Sequence, residues 1–210
     1  MGLFRSSKKK KADKDLKKFF EEHEKEQKKT DEMIQMLFKA DAQYEKDGDL
    51  NKKIAVYEKV LDMSKEPRWN SFNQCMNLVK MYLDADRRDD AWRALNQMTV
   101  IFVNFPAYRG RLGKIRYEQF RILRSEKKYI DALEKLLYSH VISYTTEEKT
   151  TFPVEKFVKD AKTSAKSIGM TDEDLSELAQ LIQKETKKRI RTEREITDLY
   201  RSFLKKKKLL

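Results

Sequence analysis

The chain is poor in the residues that make cross-links, tight turns and metal sites. Its 210 residues include one cysteine, three prolines, five glycines and two histidines. The lone cysteine, Cys75, cannot form a disulfide within the chain, which favours a reducing, cytoplasmic setting. His23 and His140 are far apart and no paired-cysteine spacing accompanies them, so no metal site is expected. With so few helix-breaking residues, the composition is typical of long helices.

Long hydrophobic runs are also missing. The longest nearly apolar stretch covers residues 98–103, whereas a helix needs about 20 such residues to cross a bilayer. No hydrophobic segment of a signal peptide follows the lysine cluster at residues 8–11. These absences predict a soluble protein. No nucleophile stands beside a base and no separated carboxylate pair can be identified, so we expect neither enzymatic activity nor a cofactor.

Charge is abundant and unevenly placed. Charged residues make up 39% of the chain, as do hydrophobic residues. Residues 1–30 contain 11 Lys or Arg and 6 Asp or Glu, and residues 184–210 contain 11 and 4. The remaining residues balance, so the two ends carry the whole net charge of +12. This division predicts a neutral folded body with two basic ends.

A helix, a short polar turn and a second helix recur three times along the chain. The recurring segments lie at residues 44–61, 82–92 and 123–133, with apolar residues at helical spacing on both sides of each turn. Stacked hairpins of this kind bury their faces against one another and leave an outer surface for partners. The sequence therefore predicts an all-α fold of stacked antiparallel helical hairpins that acts as a protein-protein interaction scaffold.

Three regions follow from this pattern. Residues 1–30 are expected to form a basic arm with a short amphipathic helix, and residues 31–145 the repeat domain. Residues 146–210 are expected to form a helical extension that has one long C-terminal helix and a basic tail.

The amphipathic helix of the arm has an apolar face. Its residues are Leu16, Phe19, Phe20 and His23. The wholly polar run at residues 24–29 is expected to separate this helix from the next one, which Thr30 or Asp31 would cap.

The three hairpins resemble the tetratricopeptide repeat, over residues 34–144. The matching positions are Leu37, Ala40, Tyr44, Gly48 and Tyr57 in the first copy, Leu78, Tyr82, Ala91 and Leu95 in the second, and Leu123, Ala132 and Leu136 in the third. Asp86 and Lys127 stand at turn positions where the family has glycine, and Lys53 stands where it has a small residue. Equivalent positions are 38 and then 41 residues apart, longer than the family's repeat of about 34.

This resemblance implies a right-handed solenoid whose concave groove is lined by the first helix of each hairpin. The positions that would face the groove are Phe38, Ala42 and Glu45 from the first copy, Asn73, Met76, Asn77 and Lys80 from the second, and Lys114, Tyr117, Arg121 and Arg124 from the third. A segment of a partner protein would bind there. The expected partner-binding residues are Asn73, Asn77, Lys80, Lys114, Tyr117, Arg121 and Arg124.

The densest basic cluster of the chain overlaps this groove. Residues 109–128 contain eight Lys or Arg against two Glu, and Lys114, Arg121 and Arg124 share one helical face. Such a face suits an acidic protein segment, or the phosphates of a nucleic acid through guanidinium contacts. An ordinary solvated helix surface has the same composition, so all three interpretations stay open.

The basic ends supply an alternative function, that of a protein associated with nucleic acid or with an anionic membrane. Gly2 lies in a sequence, residues 1–6, that satisfies the minimal pattern for myristoylation. The lysines at residues 8–11 would supply the second, electrostatic signal that stable anchoring requires. Lipidation at Gly2 and peripheral membrane contact are therefore hypotheses of this alternative.

Overall fold

The computed structural model describes residues 3–63, 69–103, 110–146, 152–187 and 192–210. The helices are α1 (Leu3–Asp47), α2 (Leu50–Met63), α3 (Trp69–Asp84), α4 (Arg88–Val103), α5 (Gly110–Ser125), α6 (Tyr129–Thr146), α7 (Val154–Ser167), α8 (Asp172–Lys187) and α9 (Glu193–Lys206). No strand occurs within these five ranges, and the all-α prediction is confirmed. No helix in the described ranges is both long enough and apolar enough to cross a membrane.

The chain divides into two compact units, Met1–Glu66 and Pro67–Leu210. The first unit is a hairpin of α1 and α2. Gly48 makes the turn with a φ of 67°, which L side chains rarely adopt, and donates its N–H to the carbonyl oxygen of Tyr44 at 2.8 Å. Asp49 then caps α2, because its carboxylate accepts the N–H of Lys52 at 3.0 Å.

α1 is one continuous helix of 45 residues where the sequence predicted two. The polar run at residues 24–29 lies inside it, with the Lys28 ammonium 3.2 Å from the Glu24 carboxylate. The prediction that Thr30 or Asp31 begins a new helix is wrong, since the Thr30 hydroxyl donates to the carbonyl oxygen of Glu26 at 2.9 Å. Lysine and glutamate are good helix formers and pair at this spacing, so a polar run need not end a helix.

In the second unit, four helices end in the same kind of turn. A residue just past each helix takes the left-handed backbone conformation: Asp86, Lys127, Gly169 and Lys208, with φ of 56°, 61°, 81° and 57°. The residue after it donates its N–H to the carbonyl oxygen five positions back, at 2.7 to 3.0 Å. This Schellman arrangement satisfies the last carbonyls of a helix and reverses the chain. It produces the α3–α4, α5–α6 and α7–α8 hairpins.

The five helices from α5 through α9 share one hydrophobic core. Its fully buried members include Leu133, Leu136, Phe157, Leu178 and Tyr200. The Tyr200 hydroxyl donates to the carbonyl oxygen of Ile130 at 3.0 Å, which fixes α9 against α6. Between α3 and α4, the rings of Phe72 and Phe102 meet edge to face with their centroids 5.3 Å apart.

The long C-terminal helix of the sequence analysis is instead two helices, α8 and α9. Thr192 begins α9 with a capping box, in which its hydroxyl accepts the N–H of Glu195 at 3.2 Å. The Glu195 carboxylate in turn accepts the N–H of Thr192 at 2.9 Å. Two free amides are thereby satisfied at a new helix start. The prediction of one long helix is wrong because it overlooked this Thr-x-x-Glu signal.

Candidate interaction surface

The predicted partner-binding residues of α5 lie on a single exposed face. Lys114, Tyr117, Arg121 and Arg124 are all exposed, and they recur every three or four residues along the helix. The opposite face is buried and contains Leu112, Ile115, Gln119, Phe120, Ile122 and Leu123. The core therefore fixes the direction of α5, and its basic stripe is exposed.

Neighbouring side chains hold the cations of this stripe in place. The Arg121 guanidinium donates to the Glu118 carboxylate at 2.9 Å. The Arg124 guanidinium lies 5.5 Å from the centroid of the Phe120 ring, within the range of a cation-π contact. Tyr117 packs against the same ring, at 5.7 Å between centroids. Arg121 and Arg124 are thus positioned by the helix itself before any partner arrives.

The predicted residues of α3 form a second exposed face. Asn73, Asn77 and Lys80 are exposed at i, i+4 and i+7, while Phe72 and Val79 of the same helix are buried. α3 and α5 contact each other near their amino ends, where the Arg111 guanidinium lies 5.1 Å from the centroid of the Phe72 ring.

Arg116 belongs to the basic cluster in sequence but not to the exposed surface. Its side chain is buried, and its guanidinium donates to Gln119 at 2.6 Å and to the Glu193 carboxylate at 2.7 Å. Lys135 donates to the other oxygen of Glu193 at 3.1 Å. Two cations from α5 and α6 therefore hold one carboxylate at the start of α9. This network gives Arg116 a structural role and makes α5 a firm support for the stripe.

The structure also shows a basic face that the sequence analysis missed. Lys159, Lys162 and Lys166 of α7 are exposed at i, i+3 and i+7. The Lys162 ammonium contacts the Asp172 carboxylate at 2.8 Å. The lysine spacing was a sufficient signal, but the segment lay outside the predicted repeat domain and was read only as a helix.

The remaining predicted positions lie on α1, on α3 and at Gly2. Phe38, Ala42 and Glu45 are exposed on α1, in the first unit. Met76 is partly buried in α3. Gly2, the hypothetical lipidation site, lies outside the described residues.

A groove runs between α1 and α2 within the first unit. It has a volume of about 590 Å³, and Met36, Ala40, Tyr44, Ala55 and Val56 contribute to its apolar lining. Charged side chains at its rim pair with one another, as in the 3.0 Å contact between Lys52 and Asp49. The rim therefore contains charges of both signs, Lys39, Lys52 and Lys53 with Asp47 and Asp49.

The buried titratable groups fit a packing role. Burial raises the pKa of the Cys75 thiol to about 12, so the nucleophilic thiolate is scarce at neutral pH. The His140 ring packs against Phe157, at 5.8 Å between centroids, with Asp160 3.2 Å from its Nε2. Among the residues that the structure describes, no group of three or more His, Cys, Asp or Glu is placed to hold a metal ion.

The geometry thus offers two exposed helix faces, one on α3 with Asn73, Asn77 and Lys80 and one on α5 with Lys114, Tyr117, Arg121 and Arg124. Arginine, tyrosine and asparagine at such positions suit recognition of another macromolecule, because guanidinium groups bind carboxylates with two hydrogen bonds and tyrosine adds apolar area. Comparisons with known protein families, with curated proteins and with solved structures find no match to this chain.

Proposed function

We propose that the chain is a non-enzymatic, cytoplasmic interaction scaffold that binds a segment of a partner protein on the exposed faces of α3 and α5. The observation that carries the proposal is the α5 stripe of Lys114, Tyr117, Arg121 and Arg124. Three cations and one aromatic ring share a face whose support is fixed by a buried polar network. A rigid stripe of this kind lowers the entropic cost of binding.

An arrangement resembling tetratricopeptide repeats is part of the same proposal. Successive antiparallel hairpins, α3–α4 and α5–α6, end their first helices in left-handed residues at Asp86 and Lys127, where the family has its turn glycine. The contact between Arg111 and Phe72 joins the first helices of these two hairpins. Both features support a stack in which first helices line a common surface.

An acidic segment is the partner that the stripe fits best. In the part of the chain that the structure describes, Glu118 supplies the carboxylate that pairs with the stripe, through Arg121. Lys114 and Arg124 add positive charge on the same face. Carboxylates of a partner would gain charge-assisted hydrogen bonds there, and Tyr117 would cover an apolar side chain between them.

The decisive experiment is reversal of two stripe charges, Arg121→Glu with Arg124→Glu. A pull-down by the full chain from an extract of its source cells should lose the partner, with capture reduced by about tenfold or more because like charges would then face each other. Circular dichroism and the melting temperature should stay within those of the wild-type chain, since both side chains are exposed.

A matched control reverses two exposed lysines of the first unit, Lys46→Glu with Lys59→Glu. The change in net charge is the same, so the control should retain the partner. Equal capture by both variants and the wild type would exclude the α5 stripe as the binding surface. Equal loss in both variants would assign the effect to net charge alone.

The alternative function, association with nucleic acid or an anionic membrane through the basic ends, stays a prediction. At the C-terminal end, the Lys207 ammonium is held by the carboxylates of Asp174 at 2.7 Å and Glu177 at 2.6 Å. Truncation there would remove the buried Phe203 and would test folding instead of binding. Charge reversal at the exposed Lys205 and Lys208 avoids this problem. Gel shift and vesicle sedimentation then measure binding to nucleic acid and to membranes.

A further inference from the structure

The amino-terminal half of α1 exposes a cluster of large apolar side chains. Leu16, Phe19 and Phe20 are 58%, 60% and 61% exposed. The Phe19 and Phe20 rings contact each other at 5.9 Å between centroids, and His23 lies on the same face, 6.3 Å from Phe19. We call this face the aromatic stripe. Exposed apolar clusters on soluble proteins mark surfaces that another molecule covers.

α2 is too short to cover the aromatic stripe. α1 has 45 residues and α2 has 14, which correspond to about 67 Å and about 21 Å of helix. The contacts of α2 fall on the carboxyl-terminal half of α1, as in the 3.1 Å hydrogen bond from Tyr57 to Asp41. The part of α1 that α2 covers therefore ends before the aromatic stripe, and the polar residues 24–29 lie between the two.

The charges beside the stripe do not suit an anionic membrane. Between residues 14 and 25, Asp15, Glu22 and Glu24 border the apolar face with a single lysine, Lys17, whereas Lys14 and Lys25 lie on the opposite side of the helix. A helix that lies on an anionic bilayer needs its lysines beside the apolar face, at the level of the headgroups. With the stripe inserted, α1 would bring carboxylates to that level instead.

Along its axis, α1 is divided into a basic and an acidic half. Residues 3–18 carry eight Lys or Arg and two Asp, whereas residues 19–32 carry six Asp or Glu and three Lys. Two such helices side by side in opposite directions would place each basic half beside an acidic half. Parallel helices would instead place like charges together.

We infer that residues 3–32 of α1 pair with the same residues of a second copy of this chain, as an antiparallel two-helix assembly. Apolar positions three and four residues apart make a seam in such a pair. In the register that sets residues 3–18 against residues 17–32, Leu16 of one copy lies beside Phe19 of the other. Ala12 then lies opposite His23. The contact is isologous and closes as a dimer.

The first test is the mass of the full chain as a function of concentration. Sedimentation equilibrium should show a mass that rises from the 25.1 kDa of one chain towards twice that value, and less so at high salt. Phe19→Ala with Phe20→Ala should weaken the association by about a hundredfold or more, since each copy loses two large apolar side chains from the seam. Alanine favours helix, so the circular dichroism should not fall.

The matched control is Lys14→Ala with Lys25→Ala, on the opposite side of α1. It should associate like the wild-type chain at high salt, where the small change in charge is screened. A single-chain mass at every concentration, or equal weakening in the control and the aromatic variant, would overturn the inference.

Disulfide trapping then decides the direction of the helices. In a background with Cys75→Ala, the variants Ala12→Cys and His23→Cys carry different tags and are oxidised alone and mixed. The antiparallel pair predicts a mixed disulfide between the two variants and little cross-linking of either alone. Cross-links within each variant alone would show a parallel pair and contradict the inference.

The last test measures binding of the chain to vesicles that contain phosphatidylserine. If monomers bind and the binding depends on Phe19 and Phe20, the stripe is a membrane-binding surface and the inference is overturned.

Discussion

At the scale of single residues, Asp86 and Lys127 adopt backbone conformations that glycine usually provides. Their φ values are 56° and 61°, and each lies at a turn between two helices of a hairpin. The resemblance to the tetratricopeptide repeat identified both as turn positions, so their placement could be predicted from the sequence. The backbone strain at these positions could not be predicted, because the absence of glycine does not show whether the turn keeps the left-handed conformation.

Lys127→Gly should stabilise the second unit. A non-glycine residue in the left-handed region costs about 1–2 kcal/mol, and part of this is returned as the greater freedom of glycine in the unfolded chain. We expect a net gain of about 0.5–1 kcal/mol in the free energy of unfolding. Both tryptophans, Trp69 and Trp92, belong to this unit, so urea unfolding followed by their fluorescence measures the change.

Lys127→Ala is the control for that measurement. It removes the same charge but keeps a Cβ in the strained conformation, so it should show no gain. A gain equal to that of glycine would mean that the lysine side chain, and not the backbone, was the source of the cost.

At the scale of helices, the sequence predicted which segments are helical better than it predicted where each helix begins and ends. Polar residues 24–29 suggested a break, but lysine and glutamate pairs such as Glu24 with Lys28 continue α1 through them. Thr192 and Glu195 gave a clear signal for a new helix, yet the charged residues around them suggested a continuous rod. The break in α1 was predicted from the absence of apolar residues, which does not by itself end a helix. The continuous C-terminal helix was predicted without the capping pattern of Thr192 and Glu195.

Thr192→Ala should destabilise the second unit by about 1 kcal/mol, because the capping hydroxyl is lost from the start of α9. Since α9 buries Ile196, Tyr200 and Leu204 in the shared core, loosening its first turn affects the whole unit. Urea unfolding measures the loss. Thr197→Ala makes the same chemical change inside α9 and should be neutral or slightly stabilising, because alanine is the better helix former. Equal losses would show that the box does not act as a cap.

The candidate surface shows the same limit of sequence reasoning. The resemblance to the tetratricopeptide repeat selected these positions of α3 and α5, and Lys114, Tyr117 and Arg121 are exposed. That they bind a partner stays a prediction. Arg116 was counted in the basic cluster of residues 109–128, but its side chain is buried and its guanidinium donates to Glu193. Its partner is 77 residues away in sequence, and local periodicity carries no information about contacts at that separation.

At the scale of the whole molecule, acid should destabilise the fold in two separate ranges of pH. The first belongs to His140, which is buried between Phe152 and Phe157, with Asp160 in contact and Lys156 nearby. Burial lowers the pKa of His140 below its ordinary 6.5, against the opposing effect of Asp160. Above pH 6.5 both folded and unfolded chains keep the ring neutral. As pH falls below 6.5, the unfolded chain takes up the proton first, so stability falls until the folded-state pKa is passed.

The second range belongs to carboxylates at the start of α8. Hydrogen bonds from Lys207 and Thr171 lower the pKa of Asp174 from 3.8 to about 2, and Lys207 also lowers the pKa of Glu177 from 4.5. Their stabilisation is complete above the unfolded-state values and is lost as pH falls from about 4.5 towards 2. Because these groups are exposed, added salt should shrink this second loss more than the first.

Melting temperatures measured from pH 8 to pH 2 resolve the two ranges. His140→Gln should flatten the decline that begins below about pH 6.5, because the side chain no longer titrates, and leave the decline below pH 4.5 unchanged. Lys207→Gln should flatten the decline below pH 4.5, since Asp174 and Glu177 would return towards their ordinary pKa values. It should leave the His140 range unchanged. If the decline that begins below about pH 6.5 is unchanged in the His140 variant, another group controls the first range.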